Sequence, residues 1–145
     1  MNLSIYQSHL DNTPKQYRVL RLFRPPIYII ELSNNQLIAV CYYKDGSSKR
    51  YQINADFSNR RMVIADFNKF AKALAELLKK FPRHFLWVSA LASINVTETL
   101  ADGLTSIEVK VITEAFFVGA VQAKRRILHS TVSYQGQIVP LEKFG

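Results

Sequence analysis

Three carboxylates are the residues whose type and position suit catalysis. Glu31 stands near the end of an apolar run, Asp66 opens an amphipathic segment and Asp102 lies in a polar connection. Carboxylates gathered at strand ends can hold two Mg²⁺ ions and support phosphodiester hydrolysis. Each of the three also has an ordinary role. Asp66 is placed to cap a helix, Glu31 sits beside a turn and Asp102 belongs to a loop, so no catalytic residue is assigned and the chain is not expected to be an enzyme. Metal and thiol chemistry have less support still. His9, His84 and His129 are scattered and Cys41 has no partner at ligand spacing, so neither a metal site nor a cofactor is expected. Cys41 lies in an apolar run and reads as a small buried hydrophobe.

The basic residues offer binding instead. Lys49, Arg50, Arg60, Arg61, Lys79, Lys80 and Arg83, with Tyr42, Tyr43 and Tyr51 as stacking platforms, are candidates for contact with nucleic acid, although the bases are spread over several elements. A second basic group lies in residues 17–24. There Arg18, Arg21 and Arg24 recur every third residue while Val19, Leu20, Leu22 and Phe23 fill the gaps, which separates a cationic arc from an apolar one on a helical wheel. Such a segment either touches an anionic membrane through the three arginines or docks on its own domain through the apolar residues. Both alternatives stand. Pro25-Pro26 ends the segment.

Composition sets the bounds. The chain has 145 residues, 48% hydrophobic and 21% charged, which suits one globular domain. Nineteen Lys and Arg against eleven Asp and Glu leave a formal charge of +8, which favours anionic partners. There is no run of about 18 apolar residues, the first residues do not resemble a signal peptide, and a single cysteine suits a reducing compartment. A cytoplasmic protein, or one peripheral to the inner face of the membrane, is the expectation.

Residues 1–26 read as a polar tail with the basic segment, 27–134 as the domain and 135–145 as a C-terminal tail. Ile27 to Leu32, Gln36 to Tyr43 and Lys49 to Ile53 predict a three-strand antiparallel meander, joined by Ser33-Asn34-Asn35 and by a turn containing Asp45-Gly46. From the Asp66 cap, Phe67, Phe70, Ala71, Leu74, Leu77, Leu78 and Phe81 keep helical spacing until Pro82. Phe85 to Ile94 has the composition of a buried strand. Thr105 and Glu108 match a capping box, opening a helix apolar enough to be mostly buried, with Val109, Ile112, Phe116 and Gly119 along one side. That helix either continues to Arg126, or stops near Ala123 before a strand over 126–133. The alternation of Ile127, His129 and Thr131 favours the strand. This order of elements implies one mixed sheet with helical crossovers between parallel strands.

Val63-Ile64-Ala65-Asp66-Phe67 resembles a signature of the bacterial actin MreB. Leu104 to Ala120 resembles its helix that begins with a capped Thr and a Glu, and Ile30-Glu31-Leu32 followed by Leu37-Ile38-Ala39-Val40 resembles its first hairpin. Phe57-Ser58-Asn59-Arg60-Arg61 is similar to a group of small bacterial proteins, the YjaA-like stress-associated proteins. The resemblance covers residues 27–134 and implies an α/β, ribonuclease-H-like or actin-like half-domain. It departs where nucleotide would bind. The first phosphate loop of MreB, Asp-Leu-Gly-Thr, corresponds here to Glu31-Leu32-Ser33-Asn34, without glycine and in a shorter turn, and the second phosphate loop and adenosine pocket would fall beyond residue 145. The resemblance therefore implies a non-catalytic binding or regulatory protein. Its partner would be a protein of the cytoskeleton or cell envelope, with oligomeric state open. The alternative is a nucleic-acid-binding or nuclease domain of ribonuclease-H topology.

Overall fold

In a computed structural model, the described residues are 7, 11, 25–59, 63–82, 90–98, 104–125, 127–134 and 137–139. β1 (Ile27–Ser33), β2 (Gln36–Tyr42) and β3 (Ser48–Asn54) form the antiparallel meander, with Ser33 opposite Gln36 and Tyr42 opposite Ser48. The second edge of β1 pairs in parallel with β4 (Ala90–Val96), which pairs in parallel with β5 (Ile127–Tyr134). A short β6 (Gln137–Val139) runs antiparallel to β5, so the six-stranded sheet has the order β3-β2-β1-β4-β5-β6. Meander first, then helix, strand, helix and strand in one mixed sheet: this is the ribonuclease-H-like and actin-like half-domain order. β6 falls within the segment expected to be a tail.

One face of the sheet is covered by α1 (Phe67–Leu78) and α2 (Ser106–Gln122), which also pack on each other. Alternation along the strands puts Tyr28, Ile30 and Leu32, Leu37, Ala39 and Cys41, and Ala90, Ala92, Ile94 and Val96 on that face, all buried. Phe70, Leu74, Leu77 and Leu78 from α1 and Val109, Ile112 and Phe116 from α2 close the core over them. Glycine is required at one point of the helix crossing. A Cβ on Gly119 would lie 2.8 Å from Leu74 Cδ2 and 2.9 Å from the Ala71 carbonyl oxygen. On the opposite face Ile27 and Leu91 form a smaller buried pair, with Ile29 and Tyr42 packed against it.

Helix ends follow from named side chains. The Asp66 carboxylate accepts from the Lys69 amide at 3.0 Å, and the Thr105 hydroxyl accepts from the Glu108 amide at 3.2 Å while Glu108 reaches back to the Thr105 amide. α1 stops three residues short of Phe81. The amides of Lys80 and Phe81 bond to the carbonyls of Leu77 and Leu78, tightening the last turn ahead of Pro82. This places the Phe81 ring edge-on to both Tyr28, at 5.4 Å, and Tyr51, at 4.8 Å.

α2 ends without a glycine. Lys124 takes the left-handed conformation at φ 57°, its amide bonds to Val121 and that of Arg125 to Ala120, which together make a Schellman turn. The strand that follows settles the alternatives for 126–133. Contrary to the expectation of a mostly buried α2, its outer side leaves Ile107, Phe117 and Val121 exposed by 72%, 61% and 60%. β4 overlaps the predicted strand Phe85–Ile94 from Ala90 and runs two residues past its expected end, to Val96, while 85–89 lie outside the described residues. So do Arg18, Arg21 and Arg24 and the rest of the basic segment before Pro25.

Candidate functional site

β1 and β4 are adjacent and parallel, and their connections leave in opposite directions. In open α/β sheets the crevice at the carboxyl ends of such a strand pair is where ligands sit. Here those ends are tied together. The amide and the hydroxyl of Thr97, just past β4, both donate to the Leu32 carbonyl, at 3.0 and 3.3 Å. The turn after β1 is only Asn34-Asn35, since Ser33 already pairs with Gln36. Asn35 adopts φ 57°, a conformation asparagine tolerates better than most residues.

Both backbone amides of this turn have internal partners. The Asn35 amide donates to the Ser58 hydroxyl at 3.0 Å, and the Ser58 amide returns a bond to the Asn35 side-chain oxygen at 2.8 Å. The Ser58 hydroxyl in turn donates to the Val63 carbonyl, fastening the segment that leads into α1. The Asn34 amide donates to the Glu98 carboxylate at 2.9 Å. That last contact decides what the turn can hold. A phosphate loop presents free backbone amides and glycines that let the phosphate approach. Here the amide faces a carboxylate, an anion already in place that would repel a second one. The turn does not fit a nucleotide phosphate.

The three candidate carboxylates are not assembled by the described residues. Glu31 is exposed and, by strand alternation, lies on the sheet face away from the helices, beside Ile38 and Asn95. Asp66 spends its carboxylate on the α1 cap. Asp102 lies outside the described residues, as do His9 and His84. Among the described residues no group of three or more His, Cys, Asp or Glu is placed to hold a metal ion. Cys41 is buried, and burial pushes its thiol up to about 12, so it stays protonated and non-nucleophilic at neutral pH.

The basic candidates divide in the same way. Lys49 and Arg50 are exposed on the edge strand β3, Lys79 and Lys80 are exposed beyond α1, and Arg60, Arg61 and Arg83 lie outside the described residues. The tyrosines meant to stack bases are engaged in packing. Tyr51 and Tyr43 lie against the helix-side core, Tyr42 against the Ile27–Leu91 pair, and the Tyr43 hydroxyl is buried with no hydrogen-bond partner among the described residues.

Two residues that matter to this architecture carried no sequence signal. Glu98 finds Asn34 from 64 positions away. Arg125 is 7% exposed, and its guanidinium donates from Nη1 to the Ala123 carbonyl at 2.9 Å and from Nη2 to the Phe81 carbonyl at 2.8 Å.

No protein-family model and no curated protein matches the chain. Among solved structures it is similar to the ethanolamine utilization protein EutJ from Carboxydothermus hydrogenoformans, at 13% identity and a TM-score of 0.45 over 75% of this chain. The match takes in 37% of EutJ, so the chain spans little more than a third of that protein's length. No helix among the described residues is long and apolar enough to cross a membrane.

Proposed function

We propose that this actin-like half-domain is a binding or regulatory protein that does not hydrolyse nucleotide. The contact between the Asn34 amide and the Glu98 carboxylate carries this reading, because it occupies the position a phosphate would need with a group of the same charge. The formal charge of +8 and the exposed Lys49 and Arg50 on β3 favour a partner with an acidic surface. The likeness of Val63–Phe67 to MreB supports a partner in the cytoskeleton or cell envelope. The packed positions of Tyr42, Tyr43 and Tyr51 weigh against the nucleic-acid alternative, which needs bare aromatic faces.

Titration calorimetry with ATP or GTP and Mg²⁺ tests the first part. Binding weaker than about 1 mM, or none, is expected, and micromolar affinity would overturn the proposal. Co-sedimentation with MreB filaments tests the second. Retention in the filament pellet that weakens at high salt is the expected result.

A further inference from the structure

α2 is apolar around most of its circumference, a composition that belongs to a helix covered on all sides. Among the described residues only one side is covered. Val109, Ile112, Ala115, Phe116, Gly119 and Ala120 face α1 and the sheet, whereas Ile107, Lys110, Glu114, Phe117 and Val121 are all exposed. These five recur at spacings of 3, 4, 3 and 4, the seam of a two-helix coiled coil. Beside Glu114 and Phe117 a groove of about 470 Å³ opens between α2 and β5, lined also by Phe67, Thr113, Val118 and Ile127.

We propose that this seam is the interface of a homodimer in which α2 packs antiparallel on α2 of a second copy, about a two-fold axis level with Ile112. The spacing of charges singles out this register. It sets Ile107 opposite Phe117 and Lys110 opposite Glu114, and two-fold symmetry repeats both layers, so apolar meets apolar and cation meets anion throughout. The overlap covers residues 106–118 of both helices, all within α2. Sliding the copies by a heptad one way puts Ile107 opposite Lys124 and Phe117 opposite Glu114. Sliding them the other way leaves only residues 106–111 in contact, with Ile107 opposite Lys110. In the favoured register Ile107 of the second copy meets Phe117 at the mouth of the groove, which gives its side chain somewhere to go. A two-helix contact is smaller than a standard interface of about 1,600 Å², so affinity is set in a roughly micromolar range.

Sedimentation equilibrium on the full chain is the test, with thermal melts as a folding control, since the substituted positions are exposed. The parent is expected to be a dimer at roughly 100 µM, on the basis of micromolar affinity. Lys110→Glu and Glu114→Lys each place like charges opposite one another twice across the axis, and each is expected to weaken dimerisation by at least about tenfold. The double variant Lys110→Glu with Glu114→Lys restores opposite charges and is expected to return close to the parent. Phe117→Glu is expected to be monomeric with an unchanged melt. A parent that is monomeric at that concentration would overturn the proposal, and so would single charge variants that dimerise normally or a double variant no better than the singles.

Discussion

The Arg125 guanidinium donates to the carbonyl of Phe81 at 2.8 Å across 44 positions of chain. Its other terminal nitrogen reaches the Ala123 carbonyl. One buried cation thus joins the residues that follow both helices, where the negative ends of the two helix dipoles lie. Arg125→Met keeps the aliphatic stem but strands two buried carbonyls. It is expected to cost about 1–3 kcal/mol for each acceptor left without a partner, read by urea denaturation. Arg125→Lys should fall between parent and Met, because a single ammonium cannot span both acceptors as the fork does.

Asp66 separates a structural carboxylate from a catalytic one. Asp66→Ala is expected to lower stability by about 1 kcal/mol, the usual worth of an N-cap, whereas Asp66→Asn keeps an acceptor for the Lys69 amide and should change it little. Neither the parent nor Asp66→Asn is expected to cleave RNA or DNA with Mg²⁺. Cleavage by the parent that Asp66→Asn abolishes would place this carboxylate on a metal.

Gly119→Ala tests how closely the helices cross. Alanine favours a helix by about 1 kcal/mol over glycine, but its methyl would meet Leu74 Cδ2 and the Ala71 carbonyl below 3.0 Å. Overpacking costs about 1–3 kcal/mol, so a net loss is expected. A more stable variant would show that α1 and α2 part cheaply.

Alkaline pH should destabilise the fold through the same core. Burial raises the Cys41 thiol from 9.0 to about 12 and holds the Tyr28 and Tyr43 hydroxyls above the ordinary 10.0. Where the folded pKa is raised, the unfolded chain loses its proton first. Stability is therefore complete below about pH 9 and falls as pH rises towards 12. Urea melts at intervals from pH 8 upward should show this decline. Tyr28→Phe, which removes one titrating group, should make it shallower.

Much of the architecture was legible because it is written in local chemistry. Asp66 and Thr105 announce their helices through side chains that bond within three residues, and the meander follows from apolar runs divided by short polar turns. The end of α2 was not, because Lys124 takes the left-handed position that a glycine usually advertises. Phe81 kept the helical spacing and yet lies past the helix, since Pro82 and the two tyrosine rings act on it together. At the turn, the absence of glycine from Ser33-Asn34-Asn35 was visible. The carboxylate that closes it was not, because a hydrogen bond formed across 64 positions leaves no periodicity to read.

The place of β1 in the sheet has a consequence for the order of events during synthesis. Its first neighbour, β2, follows within a few residues, but its second, β4, is held in register with Leu32 opposite Val96, some sixty residues later. While the chain is being made, the meander is complete long before that partner leaves the ribosome. Through that interval Ile27 to Leu32 offers an apolar edge with a single charge, Glu31, the kind of edge that recruits strands from other chains. The nascent protein is therefore most open to aggregation after β3 has emerged and before β4 arrives, and binding of a chaperone to the meander in that window would protect it.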